Sequence, residues 1–230
     1  MYVPAHFAMT AAQVDDVLHR MGAADLVTAH ADGLVATPLP LLYDPTVGDR
    51  GALLGHVARN NTQWSTPTVA DSLVLVRDTD HYVSPSWLPS TQDHGRVVPT
   101  WDYVTVHVHG QLIAHDDREW TETLVRRLTA RHEAGLARPW SVDDAPAEHV
   151  AAMLRAIVGI ELRITRIEAK AKMAQNKTPT DVTALADALA AQADPTGARW
   201  LREVSVPAAT RRAELLAEVA TRRPRRGQPR

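Results

Sequence analysis

Alternation of hydrophobic and polar residues dominates the first 170 positions and predicts a series of β-strands. In residues 104–114, the side chains of Val104, Val106 and Val108 share one face, and the polar residues between them lie on the other. The same alternation over residues 158–164 predicts another half-buried strand. Shorter strands are predicted over residues 25–30, 34–42, 52–57, 72–77, 81–84 and 97–98.

Helical patterns lie between and after these strands. Thr10 is suited to cap a first helix that ends before Gly22. Many short strands with helices among them indicate an α+β fold, built on an antiparallel barrel with peripheral and C-terminal helices. The predicted helices cover residues 10–21, 116–135, 147–155, 179–193 and 206–222.

The chain divides into three predicted segments. Residues 1–178 form the barrel domain, and residues 179–221 form a C-terminal helical extension. Residues 222–230 contain five arginines, two prolines and a glycine, which indicates a disordered basic tail.

Composition restricts the chemistry that this chain can perform. Its 230 residues are 45% hydrophobic and 23% charged, which is typical of a soluble globular protein, and no apolar run is long enough to span a bilayer. The absence of cysteine excludes disulfides, thiolate metal sites and iron–sulfur clusters. Imidazoles, carboxylates or a bound organic cofactor must therefore supply any demanding chemistry. A cytoplasmic location is the expectation.

Positive charge is distributed unevenly along the chain. Residues 1–169 contain 13 arginines and 21 acidic residues, whereas residues 170–230 contain 12 basic and 6 acidic residues. All three lysines of the chain, Lys170, Lys172 and Lys177, lie in one eight-residue segment. An ammonium group is a compact point charge, so lysine can be required at this place, although codon bias toward arginine is an equal explanation.

Two segments predict a binding site for a planar, anionic ligand. Arg59, Asn60 and Asn61 follow a strand and precede a turn or helix, where free amides and a guanidinium can bind a flavin phosphate or a haem propionate. An ordinary capped helix explains the same residues. Residues 82–87 and 95–103 are rich in aromatic residues and proline, and form either a wall for a planar ligand or simple loop packing.

Two further segments carry candidate chemical groups. His107 and His109 share a strand face and could bind one metal ion, with a third ligand from His56 or His81. Residues 170–177 combine ammonium and amide donors that suit an anionic ligand or a substrate carboxylate, or else form a solvated turn.

Several of these motifs, in this order, resemble the PaiB-type, FMN-binding split-barrel family, from near Met1 to about Asp181. The similarity depends on residues 1–4, 55–61 with Gln63 and Trp64, 84–87, 98–101, 106–110, and Lys172 with Gln175 and Asn176. The resemblance implies a homodimer of six-stranded split barrels with cofactor pockets at the dimer interface. It also implies a flavin-binding protein or a negative transcriptional regulator.

The sequence departs from the commoner family pattern inside these motifs. Thr62 replaces proline, Leu88 replaces tyrosine, Asp102 replaces asparagine and Ala174 replaces serine. Residues 78–81 also replace the usual Gly-Pro pair. These changes favour a specialised pocket, with sequence drift as the alternative.

The specialised branch that the chain also resembles is the haem-dependent piperazate synthases, which cyclise N5-hydroxyornithine by forming an N–N bond. This resemblance implies haem b as cofactor, with FMN as the alternative, and His56 as the iron ligand, with His107 and His109 as alternatives. It implies catalytic roles for Lys172, Asp102 and Tyr103 toward a small, amino-acid-like substrate. The cofactor-binding residues implied by the resemblance are His56, Arg59, Asn60, Asn61, Trp64, Ser84, Trp87, Trp101, Gln175 and Asn176.

Overall fold

The structure, a computed structural model, describes residues 1–222. Except for Arg222, which ends the last helix, the predicted basic tail lies outside the described residues. The strands are β1 (Ala23–His30), β2 (Gly33–Pro40), β3 (Leu42–Asp44), β4 (Ala52–Ala58), β5 (Ser72–Val83), β6 (Thr100–His115) and β7 (Ile157–Lys172). The helices are α1 (Ala11–Arg20), α2 (Ser90–His94), α3 (Arg118–Glu133), α4 (Ala147–Arg155), α5 (Pro179–Ala191), α6 (Pro195–Trp200) and α7 (Val206–Arg222), with a π-helical turn (Leu201–Ser205) before α7.

The strands form one seven-stranded sheet in the order β2-β1-β5-β6-β7-β4-β3. The β1–β2, β1–β5, β3–β4 and β4–β7 pairs are all antiparallel. The predicted antiparallel α+β arrangement is therefore confirmed. The sheet has seven strands, whereas the resemblance implies six, and the strand predicted over residues 34–42 divides into β2 and the three-residue β3, which pairs with β4.

Strand alternation identified the buried apolar side chains of β6 and β7, but it placed Glu161 on the exposed face, and Glu161 is buried. Val104, Val106 and Val108 are fully buried in β6, as are Ile160 and Leu162 in β7. The alternating faces of a strand explain this result, because every second side chain points toward the core.

The predicted strand ends were less accurate. β5 continues without a break through the predicted short strand at residues 81–84, and β7 continues past residue 164 to Lys172. Residues 97–98 form no strand, because β6 begins at Thr100. Backbone pairing with a neighbouring strand extends β7 through its polar end, where side-chain alternation no longer signals a strand.

The chain clusters into two compact units. The first unit comprises Met1, Thr10–Arg77 and Val106–Ala169, and the second comprises Tyr2–Met9, Asp78–Thr105 and the chain from Lys170 onward. β5, β6 and β7 each contribute residues to both units.

In the first unit, α1 begins at the predicted cap. The Thr10 hydroxyl accepts from the Gln13 amide at 3.3 Å, and the Gln13 side chain accepts from the Thr10 amide at 2.8 Å. This reciprocal pair is a capping box, which satisfies two amides that the helix itself leaves free.

In the second unit, apolar side chains of the C-terminal helices form a buried core. The Trp200 indole nitrogen donates to Asp78 Oδ2 at 2.6 Å, which joins α6 to β5. No helix within residues 1–222 is long and apolar enough to cross a membrane. The fully buried residues of this core include Leu88, Val182, Leu185, Leu189 and Leu201.

Candidate functional site

The guanidinium of Arg59, in the first unit, is engaged by other parts of the chain. Its Nη2 donates to Asp116 Oδ1 at 2.6 Å and its Nη1 to Asp116 Oδ2 at 3.0 Å. Its Nε donates to the Arg155 carbonyl at 2.8 Å, and Nη2 also donates to the Ile157 carbonyl at 3.2 Å. Four contacts from one guanidinium leave little donor capacity for a ligand. The predicted anion-binding role of Arg59 stays a prediction.

The residues after Arg59 form a single 3₁₀ turn, Thr62–Trp64. The Asn61 side chain caps this turn: its Oδ1 accepts from the Gln63 backbone amide at 2.9 Å. Its Nδ2 donates to Thr37 Oγ1 at 3.1 Å. The Trp64 indole donates back to the Arg59 carbonyl at 3.0 Å. Asn60 is exposed. The side chains of Asn61 and Trp64 therefore make contacts that stabilise the turn.

His56 lies on β4, opposite Gly159 of β7, and is half-buried. Its Nδ1 is buried and makes no hydrogen bond. Burial lowers the pKa of His56, so the imidazole is neutral near pH 7. A neutral imidazole with an uncommitted nitrogen has the chemistry of a metal ligand.

His107 and His109 lie on the same face of β6, as predicted. His109 Nε2 is 3.4 Å from Glu168 Oε2, and burial lowers the pKa of His107. Glu168 also accepts from the N-terminal amine at 2.6 Å, and this bond, with Arg166 and His109, lowers the pKa of Glu168 to about 2. Within residues 1–222, no group of three His, Asp or Glu side chains has the arrangement of a metal site.

The predicted aromatic wall lies in the second unit, and its members make different contacts. Ser84 caps a short turn with its hydroxyl 2.7 Å from that of Ser86, and Trp87 is half-buried. The Trp101 ring is half-exposed and lies 6.3 Å from the ring of Tyr82, and its indole donates to an Asp80 carboxylate oxygen at 3.2 Å.

Lys172 and Asp102, predicted as catalytic residues, lie together in the second unit. Lys172 Nζ is 3.2 Å from Asp102 Oδ1, donates to Thr100 Oγ1 at 2.8 Å, and also donates to the Trp101 carbonyl. The Asp102 side chain is only 1% exposed, and its Oδ2 has no hydrogen-bond partner. Burial raises the pKa of Asp102, against the lowering effects of Lys172, His81 and Lys177.

Both residues line a cavity of about 500 Å³, a size typical of small-molecule sites. Four cationic side chains line it against two acidic ones, Asp102 and Asp181. The Asp181 carboxylate already accepts from the Ser90 amide at 3.0 Å. The cavity therefore carries an excess of positive charge that suits an anion. Its cationic residues are Arg96, Lys172, Lys177 and Arg212, and its apolar residues include Phe7, Val97 and Val98.

The loop after β7 forms one wall of this cavity. Ala174 has a positive φ of 61°, which an L-residue rarely adopts, and Gln175 braces the turn around it. Gln175 Nε2 donates to the Ala171 carbonyl at 2.6 Å, and its Oε1 accepts from the Met173 amide at 2.9 Å. Gln175 thus has a positioning role, whereas the exposed Asn176 lines the cavity.

Tyr103 does not line the cavity together with Lys172 and Asp102. Its ring lies instead 5.3 Å from the buried ammonium of Lys170. This is a cation–π contact, which stabilises a lysine that burial would otherwise disfavour.

Of the cationic residues that line the cavity, Arg212 belonged to no predicted site. Lys177 was predicted only as part of the anion-binding segment 170–177, Arg96 only as part of the loop 95–103, and the neighbouring His81 only as a third metal ligand. Arg212 is distant in sequence, on α7, and donates to the Asn176 carbonyl at 3.3 Å. Only the folded chain brings it to the loop.

Comparison with known proteins agrees with this architecture. Residues 1–166 match a family model described as "Putative FMN-binding domain". The chain is 30% identical over 183 residues to a Bacillus subtilis protein named protease synthase and sporulation protein PAI 2. That alignment covers 79% of this chain and 85% of the Bacillus protein.

Solved structures share the fold at low sequence identity. A conserved hypothetical protein of Mycobacterium tuberculosis has a TM-score of 0.52 at 14% identity, covering 75% of this chain and 91% of its own. The flavocytochrome Anf3 of Azotobacter vinelandii has a TM-score of 0.51 at 15% identity, covering 74% and 72%. The split-barrel fold is thereby confirmed, and the chain belongs to the PaiB-type family of FMN-binding split-barrel proteins.

Proposed function

We propose that this protein binds FMN and uses it in an oxidoreductase reaction, with the phosphate of FMN held in the cavity of the second unit. One observation carries this proposal: four cationic side chains line a single cavity whose acidic residues are fewer and partly engaged. A phosphate monoester is a dianion near pH 7 that takes several charge-assisted hydrogen bonds.

The residues present fit this cofactor. Lys172, Lys177 and Arg212 would hold the phosphate, and Val97 and Val98 offer apolar surface in the same cavity. Bound FMN would supply hydride or electron transfer. The protein's own residues would orient the cofactor and balance its charge.

The test compares the affinities of FMN and riboflavin, which differ by the phosphate. For the wild-type protein, we expect FMN to bind at least about tenfold more tightly, because charge-assisted hydrogen bonds contribute about 1.5–3 kcal/mol each. In Lys172→Gln/Lys177→Gln, FMN should bind about as weakly as riboflavin, whose affinity should not change.

Arg211→Gln is the matched control, because Arg211 is exposed, adjacent to Arg212, and does not line the cavity. Fluorescence titration of the flavin measures all of these affinities. Equal affinities of FMN and riboflavin for the wild-type protein would rule out this phosphate site.

A haem-dependent cyclase, which forms the N–N bond of piperazate from N5-hydroxyornithine as the N–O bond breaks and water leaves, is the second candidate. The buried, unpartnered Nδ1 of His56 favours it, because an iron ligand requires a neutral imidazole with a free nitrogen. Haem would supply the iron that polarises the N–O bond of the substrate, and His56 would hold it.

An absorption spectrum of the purified protein separates the two candidates. A Soret band that His56→Ala shifts or removes would support the haem enzyme. Oxidised-flavin bands that survive the same substitution would support the FMN protein. His132→Ala, at an exposed position on α3, is the control for loss of an imidazole.

We also propose that the protein forms a homodimer with its cofactors at the interface, as the family resemblance implies. Light scattering coupled to size-exclusion chromatography should give twice the chain mass of 25.2 kDa. A mass of one chain would contradict the dimer. The cytoplasmic location stays a prediction.

A further inference from the structure

Three titratable side chains stand on three neighbouring strands of the second unit: His81 on β5, Asp102 on β6 and Lys172 on β7. Asp102 is the central member. Its Oδ1 lies 3.2 Å from Lys172 Nζ, while its Oδ2 is buried and makes no hydrogen bond. A buried carboxylate oxygen without a partner is costly, so this atom is suited to carry a proton.

We propose that Asp102 is the proton-exchanging residue of the cavity: it neutralises Lys172 while no anion is bound, and takes up one proton when a phosphate or carboxylate group binds to Lys172. This inference rests on the proposed function, which assigns an anionic group to the same cavity. In this step one proton moves from solvent to the Asp102 carboxylate, and only an O–H bond forms.

The physical reason is competition for one cation. An anion that binds the Lys172 ammonium weakens the contact between Lys172 and Asp102 and places a second negative charge beside the buried carboxylate. Like charges at short distance raise the pKa of a carboxyl group, and burial already raises the pKa of Asp102. The protonated carboxyl can then donate a hydrogen bond to the anion instead of repelling it.

The charged groups that surround Asp102 come from several elements. Lys172 from β7, Lys177 from the following loop and His81 from β5 all favour its ionised form. His81 is itself 3.4 Å from Asp194 Oδ2, and burial lowers its pKa. Other titratable or charged groups lining the cavity are His94 and Arg96 near α2, Asp181 on α5 and Arg212 on α7.

Linkage gives the sign of the effect. Since the complex binds one more proton than the free protein, anion affinity should fall as the pH rises from the pKa of Asp102 in the free protein to its higher pKa in the complex. Above the higher value, the affinity should stop changing. Each unit of pKa difference corresponds to about a tenfold change in affinity.

Sulfate is the probe, because it remains a dianion over the whole range from about pH 5 to about pH 8. Calorimetry in two buffers with different ionisation enthalpies, at the same pH, counts the protons taken up on binding. We expect proton uptake by the wild-type protein and none by Asp102→Asn. The variant should bind sulfate more tightly at about pH 8, by about tenfold for each unit that the anion adds to the pKa.

Asp93→Asn is the matched control, because Asp93 is an exposed carboxylate on α2 that does not line the cavity. It should bind sulfate and take up protons as the wild-type protein does. If Asp102→Asn does not fold, the wild-type measurement decides, because sulfate binding without proton uptake at every pH from about 5 to about 8 overturns the inference.

Different outcomes test the role of Asp102 and the proposed binding of FMN in the cavity. Proton uptake that persists in Asp102→Asn would assign the proton to His94 or His81 and would overturn the role of Asp102 alone. Failure of both wild-type protein and Asp102→Asn to bind sulfate would overturn the anion-binding cavity, and the proposed function with it.

Discussion

Gly110 on β6 allows two strands to approach closely. A Cβ atom at this position would lie 2.2 Å from the carbonyl oxygen of Arg163 on β7. Because that oxygen belongs to a paired strand, the backbone would have to shift to accept a methyl group. The close approach of the two strands therefore excludes any residue with a Cβ atom at position 110.

We expect Gly110→Ala to lower the free energy of unfolding by about 2–3 kcal/mol, the cost typical of overpacking a rigid site. Gly22→Ala is the control, because a Cβ at Gly22 meets no atom within 4 Å. Urea denaturation of both variants measures the difference. Equal stabilities of the two variants would contradict this close approach.

The buried His56 should make the stability of the folded protein depend on pH. Burial lowers the pKa of His56 in the folded state, so between that value and the ordinary histidine pKa of about 6.5 the unfolded chain binds more protons. Stability should therefore fall as the pH drops below about 6.5, and His56→Asn should reduce this loss. Thermal unfolding at several pH values tests it, with His132→Asn as the control, and an unchanged pH profile would contradict it.

In the loop after β7, the side chain of one residue stabilises an unfavourable backbone conformation of its neighbour. Ala174 has a positive φ, and the neighbouring Gln175 side chain satisfies both the Met173 amide and the Ala171 carbonyl. From the sequence, Gln175 is predicted to bind the ligand, because amide donors suit an anion. In the fold, its donor and acceptor are both used to shape the loop.

We expect Gln175→Ala to destabilise the protein by about 2 kcal/mol, since two buried backbone groups lose their partners. Asn176→Ala should change stability by less than about 0.5 kcal/mol, because Asn176 is exposed. Thermal denaturation measures both effects. A larger loss in Asn176→Ala than in Gln175→Ala would reverse the roles given to the two residues.

Charge is the property that matters at the scale of the whole molecule. Residues 1–169 are acidic and the chain from residue 170 is basic, so the net charge of −2 is the sum of two segments of opposite charge. Part of the basic excess lines the cavity of the second unit, and residues 223–230 contain four more arginines. Under the regulator alternative, these groups would supply positive charge for contacts with DNA.

We expect DNA binding to be weak, independent of sequence and lost at about 0.15 M salt, because a few arginine–phosphate contacts give strongly salt-dependent affinity. Arg225→Glu/Arg226→Glu should abolish even the low-salt complex, whereas Arg138→Glu, at an exposed position, should not. Mobility-shift assays over a salt series test this. A sequence-specific complex at physiological salt would support the regulator alternative instead.

The sequence by itself determined the α+β fold class, the buried valines of β6, the Thr10 cap of α1 and the family. These features depend on alternation, local hydrogen bonds or contiguous motifs, so neighbouring residues are enough to define them. The family resemblance also placed Lys172 and Asp102, which lie 70 residues apart in the sequence, in one catalytic set.

Only the tertiary structure decided which charged groups line the cavity and which contact other parts of the chain. Arg59 and Lys172 both occur in family motifs, yet Arg59 contacts Asp116 and two carbonyls, while Lys172 lines a cavity with Arg212 from the last helix. The physical reason is that the chemistry of a charged side chain depends on its partners. Strand pairing and helix packing between distant parts of the sequence determine those partners, and no local sequence pattern predicts them.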